Sequence, residues 1–190
     1  MKILHRCPWA GNDPDYIAYH DNEWGIPVHD DVKLFEMLVL EGFQAGLSWI
    51  TILKKRPAFK IAFRYWDVER IARFTEKDLR ALLENEGIVR NRLKIRSAVT
   101  NARQFMDVAA KYGTFDAYIW KFTEGETMRP MKAYPRWKAV PCKTPVSDAM
   151  SADLKKKGFT FVGSVICYSF MQAVGMVDDH VRGCFKCTCA

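Results

Sequence analysis

One pattern dominates the chain: apolar residues at helical spacing, opened by Asp, Thr or Ser and closed by glycine. Side chains three and four apart share a helix face, so each such run must lay that face on a core. Asp30 or Asp31 opens a helix through Leu34, Phe35, Leu38 and Val39, and Gly42 and Gly46 break the run. A second helix is predicted over 48–55, with Pro57 opening a third. Asp67 caps a short helix containing Ile71. Thr75 and Asp78 form a capping-box pattern before Leu79, Leu82 and Leu83, and Gly87 ends that helix as a C-terminal glycine. A long helix follows over 91–112, closed by Gly113, then a short one over 114–122. Ser147 caps a helix to Gly158. An apolar helix over 163–174 lacks a polar face and belongs at the centre. The stretch to Val28 reads as irregular. The stretch 124–146, with Pro130, Pro135, Pro141 and Pro145, reads as a long surface loop or a domain connection. Only 159–162 alternates like a strand. The predicted class is all-α.

With 190 residues the chain can form one domain, 1–190, and bury about 70% of its unfolded surface without disulfides. An aromatic content of 13% excludes disorder, and no apolar run is long enough to span a membrane. The start, MKILHRCPWAGND, is not a signal peptide. Together these indicate the reducing cytoplasm, where cysteines serve as metal ligands or free thiols. A net charge of +7 favours polyanionic partners, nucleic acid among them.

Cys7 and His20 lie near one end, His180 and Cys184 near the other. The second pair is one helical turn apart, on one face. Two sulfurs and two imidazole nitrogens make a closed tetrahedral zinc set, structural in character, that would tie the first twenty residues to the last ten. Cys187 and Cys189 compete as ligands, and free thiols with ordinary histidines remain the alternative.

The stretch from Leu82 to Ile95 reads helix, glycine turn, helix, with Arg90, Arg92, Lys94 and Arg96 crowded beyond Gly87. Exposed backbone N–H groups at the start of a helix attract anions, and a basic cluster there suits DNA phosphates, giving grip without sequence preference. A solvated charged hairpin is the plainer reading. Lys54, Lys55 and Arg56, and 155–157, offer further phosphate contacts.

Glu41 stands at the end of an apolar helix, followed by two glycines and Trp49. A buried, unpaired carboxylate is costly, so it implies an exposed position, a partner or a function. Trp9, Tyr16, Tyr19 and Trp24 crowd the N-terminal segment. Rings with one acid make a box for a flat cationic heterocycle, while aromatic core with a surface acid is the competing reading.

Longer stretches carry a resemblance: DPDYIAYHDNEWGIP at 13–27, LFEM at 34–37, LEGFQAGLSWITILKKR at 40–56, GIVRNRLKI at 87–95, KGFTFVG at 157–163 and CYSFMQAVGMVDDH at 167–180. In these the chain closely resembles the bacterial 3-methyladenine DNA glycosylase I family of the helix-hairpin-helix glycosylase superfamily. The resemblance implies an all-α fold with the hairpin at about 79–112, and zinc at Cys7, His20, His180 and Cys184 joining segments 1–28 and 176–190. It implies a base pocket of Trp9, Tyr16, Glu41 and Trp49 with Tyr19 and Trp24 nearby, and Leu47 pushed into the DNA gap. The expected partner is alkylated double-stranded DNA, and the expected state a monomer. Leu93 departs from the glycine common in family hairpins and is expected to alter packing there. The 124–146 loop matches poorly.

The activity implied is base flipping and hydrolytic removal of N3-methyladenine, or N3-methylguanine, with Glu41 as the key polar residue. Related glycosylases use an aspartate after the hairpin; Asp107 lies in that region, but this family lacks that device. No pocket lysine is marked, which predicts a monofunctional enzyme without lyase activity. The rivals are a zinc-stapled, nonenzymatic DNA-binding module and a helix-hairpin-helix glycosylase for another lesion.

Overall fold

A computed structural model describes residues 4–189. In chain order the helices are α1 (Pro14–Asn22), α2 (Asp31–Gln44), α3 (Trp49–Ala62), α4 (Val68–Ala72), α5 (Glu76–Glu84), α6 (Arg92–Tyr112), α7 (Phe115–Ile119), α8 (Pro145–Lys156) and α9 (Ser164–Ala173). Short 3₁₀ turns lie between them, and among the described residues the only β pairing is an isolated bridge between Met128 and Val177. No helix among the described residues is long and apolar enough to cross a membrane.

The capping chemistry explains most boundaries. Asp30 accepts from Lys33 N to open α2, Asn91 accepts from Lys94 N to open α6, and Thr75 and Asp78 cap α5 reciprocally. The apolar α9 is central as expected, packed against α2 and α8 with Phe170, Met171 and Ala173 buried. Phe35, Phe105 and Phe115 meet beside α2, and Phe59, Phe63 and Trp66 stack at the end of α3 with Phe43 edge-on to Phe59.

Five expectations are corrected. The N-terminal segment is not all irregular: Asp13 caps α1, and Pro14 fills the first turn, where a missing N–H costs nothing. Pro57 does not open a helix but sits inside α3, which runs on past the hydrogen bond that proline cannot donate. Gly87 is not a left-handed cap; Asn85 ends α5, and Gly87 is required because a Cβ there would lie 2.9 Å from Ala58 Cβ. Thr144 rather than Ser147 caps α8, with Ser147 as its capping-box partner. Residues 159–162 form no strand.

Candidate active site

Helix α2 ends and α3 begins at one corner, joined by the turn 45–48. Gly46 takes a left-handed φ of +79°, and Leu47 N donates to Gln44 O at 2.6 Å. That turn leaves Leu47 41% exposed at its tip. Beneath it lies a cavity of about 270 Å³. Its walls come from four places: Trp9, Tyr16, Tyr19 and Trp24 in the N-terminal segment; Glu41, Gln44, Ser48 and Trp49 around the α2–α3 corner; Ser169 and Gln172 on α9; and Trp137 in the 124–146 loop.

All six pocket residues expected from sequence are therefore brought together. Trp9 lies 5.6 Å from Tyr16, 6.2 Å from Tyr19 and 5.1 Å from Trp24 between ring centroids, and Tyr19 lies 5.4 Å from Trp49. Tyr16 reaches the start of α3, its hydroxyl accepting from Ile50 N at 3.1 Å. This satisfies one of the orphan N–H groups of that helix, which Ser48 does not cap through its side chain.

Glu41 is 4% exposed, and its Oε2 has no protein partner. Burial pushes its carboxyl up to about 8. Tyr19 is also raised, by burial first and by Glu41 second. The indole N–H groups of Trp9 and Trp49 are likewise buried without partners. One acid and two donors thus stand unpaired around one cavity, an arrangement that costs stability until something fills it.

Behind this wall, ligand atoms of Cys7, His20 and Cys184 lie within 4.8 Å of one another, all buried. His20 Nδ1 donates to Asp21 at 2.8 Å, leaving Nε2 facing Cys184 Sγ at 3.4 Å. His180 stands beside this group, its ring 5.3 Å from that of His20. Its Nδ1 donates to Asp178 at 2.7 Å, and its Nε2 is buried and unpartnered. Two imidazoles oriented by carboxylates stand beside two thiols; His20 Nε2 also accepts from Cys7 N at 3.3 Å and His180 Nε2 is unpartnered, a donor set that fits a zinc ion by type. Cys187 and Cys189 stand outside the group; Cys187 Sγ lies 3.7 Å from Cys189 O.

At the hairpin, Gly87 N donates to the Asn85 side chain at 2.9 Å, and Lys55 Nζ holds Glu86 O at 2.8 Å. Arg90 and Arg92 are exposed. Lys94 is the correction: it is only 7% exposed, and its ammonium donates inward to Phe43 O at 2.9 Å and Ala45 O at 2.6 Å. It caps the end of α2 and holds the 45–48 turn instead of meeting a phosphate. Helical spacing carried the signal, because Lys94 shares a face with the buried Ala98, Asn101 and Phe105. Leu93 is 68% exposed and does not disturb the packing. Arg56 also turns inward, to Glu23 and Glu36, and Asp107 is exposed on α6, outside the cavity. Sequence reasoning missed Gln44, Ser169, Gln172 and Trp137. Gln172, a polar residue in an apolar helix, was marked by that contrast, and Asp179 now holds it at 2.7 Å.

Fold and site together define the class: an all-helical protein with an unpaired acid buried in a ring-walled cavity. The family model described as methyladenine glycosylase matches residues 9–187, and the chain belongs to that family. It is 46% identical to DNA-3-methyladenine glycosylase 1 of Escherichia coli K12 over 181 residues, covering 95% of this chain and 96% of the relative. It is 45% identical to DNA-3-methyladenine glycosylase of Haemophilus influenzae over 179 residues, covering 94% and 96%. Among solved structures, a 3-methyladenine DNA glycosylase I superposes with a TM-score of 0.91 at 49% identity, covering 96% of this chain and 99% of the other. The Staphylococcus aureus enzyme, solved for the structural basis of its 3-methyladenine recognition, gives a TM-score of 0.91 at 34% identity, covering 96% of each chain.

Proposed function

We propose that this protein is a base-excision repair glycosylase that flips N3-methyladenine out of alkylated double-stranded DNA and hydrolyses its N-glycosyl bond; N3-methylguanine is the alternative substrate. The curated relatives carry the activity in their names, and the S. aureus structure names the ligand. Among the observations on this chain, the one that carries the reading is Glu41, buried and unpaired inside the cavity.

The chemistry follows from charge. An N3-methylated adenine in a nucleotide is cationic, and breaking its bond to the sugar releases a neutral base. The leaving group needs no proton, so strong acid catalysis is unnecessary. A neutral Glu41 fits the empty pocket; an incoming cation lowers its pKa and draws off its proton, pairing the two charges. Trp49 and Tyr16 stack on the base, with Trp9, Tyr19 and Trp24 around it. Water adds to the sugar carbon, which makes the enzyme monofunctional.

Leu47 fills the gap left by the flipped base. The backbone at Gly87, with Arg90 and Arg92, grips phosphates, and Lys94 holds the Leu47 turn in place. The helix–glycine–helix arrangement supports membership of the helix-hairpin-helix superfamily, with the motif at about 79–112. A structural zinc held by Cys7, His20, His180 and Cys184 would cross-link the ends of a single domain and fix the Trp9 wall. Elemental analysis should find one zinc per chain. A monomer in the cytoplasm suits a substrate that is the genome itself.

The test is chromatography of free bases released from duplex DNA treated with a methylating agent. Release of 3-methyladenine supports the proposal. A folded, zinc-loaded protein that binds the DNA and releases nothing is the nonenzymatic module instead.

A further inference from the structure

Trp137 lines the cavity from a segment whose sequence offered no function. It sits in the proline-rich 124–146 loop, on a 3₁₀ turn closed by Val140 N to Trp137 O at 3.0 Å. The loop is held by backbone bonds to the C-terminal stretch. Met128 N donates to Met176 O, Asp178 N to Met128 O and Arg182 N to Tyr134 O, each at 2.9 Å, and Thr127 Oγ1 donates to Gly175 O at 2.8 Å. These anchors lie on the chain just before Trp137, and Pro135 and Pro141 stiffen the turn on either side.

The Trp137 ring lies 6.1 Å from Trp9 and 5.9 Å from Trp24, whose own rings are 5.1 Å apart. Three indoles therefore meet pairwise at tilted or edge angles. Such a cluster offers electron-rich ring faces on which a flat heterocycle packs, neutral as the free base and more strongly when cationic in the nucleotide. Trp137 is half-buried: packed on its neighbours, yet bordering the cavity.

We infer that Trp137 is a binding residue of the base pocket, completing with Trp9 and Trp24 a wall of indoles that holds a flat methylated purine, and that the 124–146 loop exists to deliver it. The inference rests on reading the cavity as the base pocket. It gives the loop a role in retaining the flipped base and keeping bulk water from it, and none in gripping the DNA backbone.

The test compares Trp137→Leu, which keeps apolar bulk but removes the ring, with Trp137→Phe, which keeps a ring. Free 3-methyladenine is titrated calorimetrically into each, and kcat/KM is measured on methylated duplex DNA. In Trp137→Leu both base affinity and kcat/KM should fall about tenfold, the scale of one lost stacking partner, while Trp137→Phe stays within about threefold of the parent. Affinity for undamaged duplex should be unchanged in both. Parent-like base binding by Trp137→Leu overturns the inference. So does an equal loss in the two variants, which would show that the loop's fold matters and the ring does not. A parent that binds the free base but excises nothing would defeat the glycosylase reading and leave the wall standing.

Discussion

Helix α2 buries two glutamates five residues apart, and the molecule treats them in opposite ways. Glu36 is 7% exposed and Glu41 is 4% exposed. Glu36 is met by Arg56 Nε at 2.8 Å and Lys33 Nζ at 3.1 Å, in a cluster that includes Glu23. Burial alone would raise its carboxyl, but Arg56 and Lys33 outweigh burial and hold it below the usual range. Glu41 meets no cation, and burial raises it to about 8. The same side chain is paired in the middle of the helix and left unpaired near its end. The difference lies in whether the fold supplies a counter-charge or leaves that to a ligand.

The two should answer pH with opposite signs. Glu36 contributes stability that is present above its ordinary value of 4.5 and lost as pH falls below it. Glu41, raised from 4.5 to about 8, keeps its proton in the folded state after the unfolded chain has released it, so stability is lost as pH rises through that window. Glu41→Gln removes the titration. It should match the parent's stability near pH 5 and exceed it above pH 8 by on the order of 4 kcal/mol, read by denaturant unfolding at each pH. A gap that does not grow with pH would break the comparison.

Arg56→Met is the converse experiment. It removes the nearer of the two cations that serve Glu36 and Glu23, leaving Lys33, and should cost about 3 kcal/mol at neutral pH, with the carboxyl values rising in NMR titrations. Unmoved carboxyl values would show that the cluster does not work as an ion network.

A smaller effect is expected at Lys94. Lys94→Met leaves the carbonyls of Phe43 and Ala45 without their donor and should cost about 1–3 kcal/mol. The turn carrying Leu47 loosens with it, so excision should fall more than affinity for undamaged DNA. The smallest effect belongs to Arg92→Ala on the exposed hairpin. It should weaken binding across all sequences and reduce the salt slope by about 1, and an unchanged slope acquits that residue of touching phosphate.

The parts legible in sequence are those with local physics. Asp30 and Thr75 announced two helices because a cap is written within three residues of the turn it serves. The box of rings around Glu41 was visible as composition, since an acid in an apolar helix is itself a contrast. What stayed hidden depends on the partner element. Nothing near Glu36 or Arg56 says that they meet, being twenty residues apart on different helices. Lys94 was grouped with Arg90 and Arg92 by charge, whereas its helical face decided its direction. Trp137 lies in a loop with no periodicity, and only the anchors from 175–182 bring its ring to the pocket.

The proposed mechanism has Glu41 bind the methylated base as a carboxylate held at an unusually high pKa. Its most direct test is kcat/KM for 3-methyladenine release by the parent and by Glu41→Gln across pH 6 to 9, since this parameter reports the free enzyme's titrations. In the parent it should rise and level off through about pH 8, where Glu41 loses its proton. In the variant it should be flat and at least about a hundredfold lower. A variant as active as the parent, or a parent profile with no step in that range, would contradict the claim.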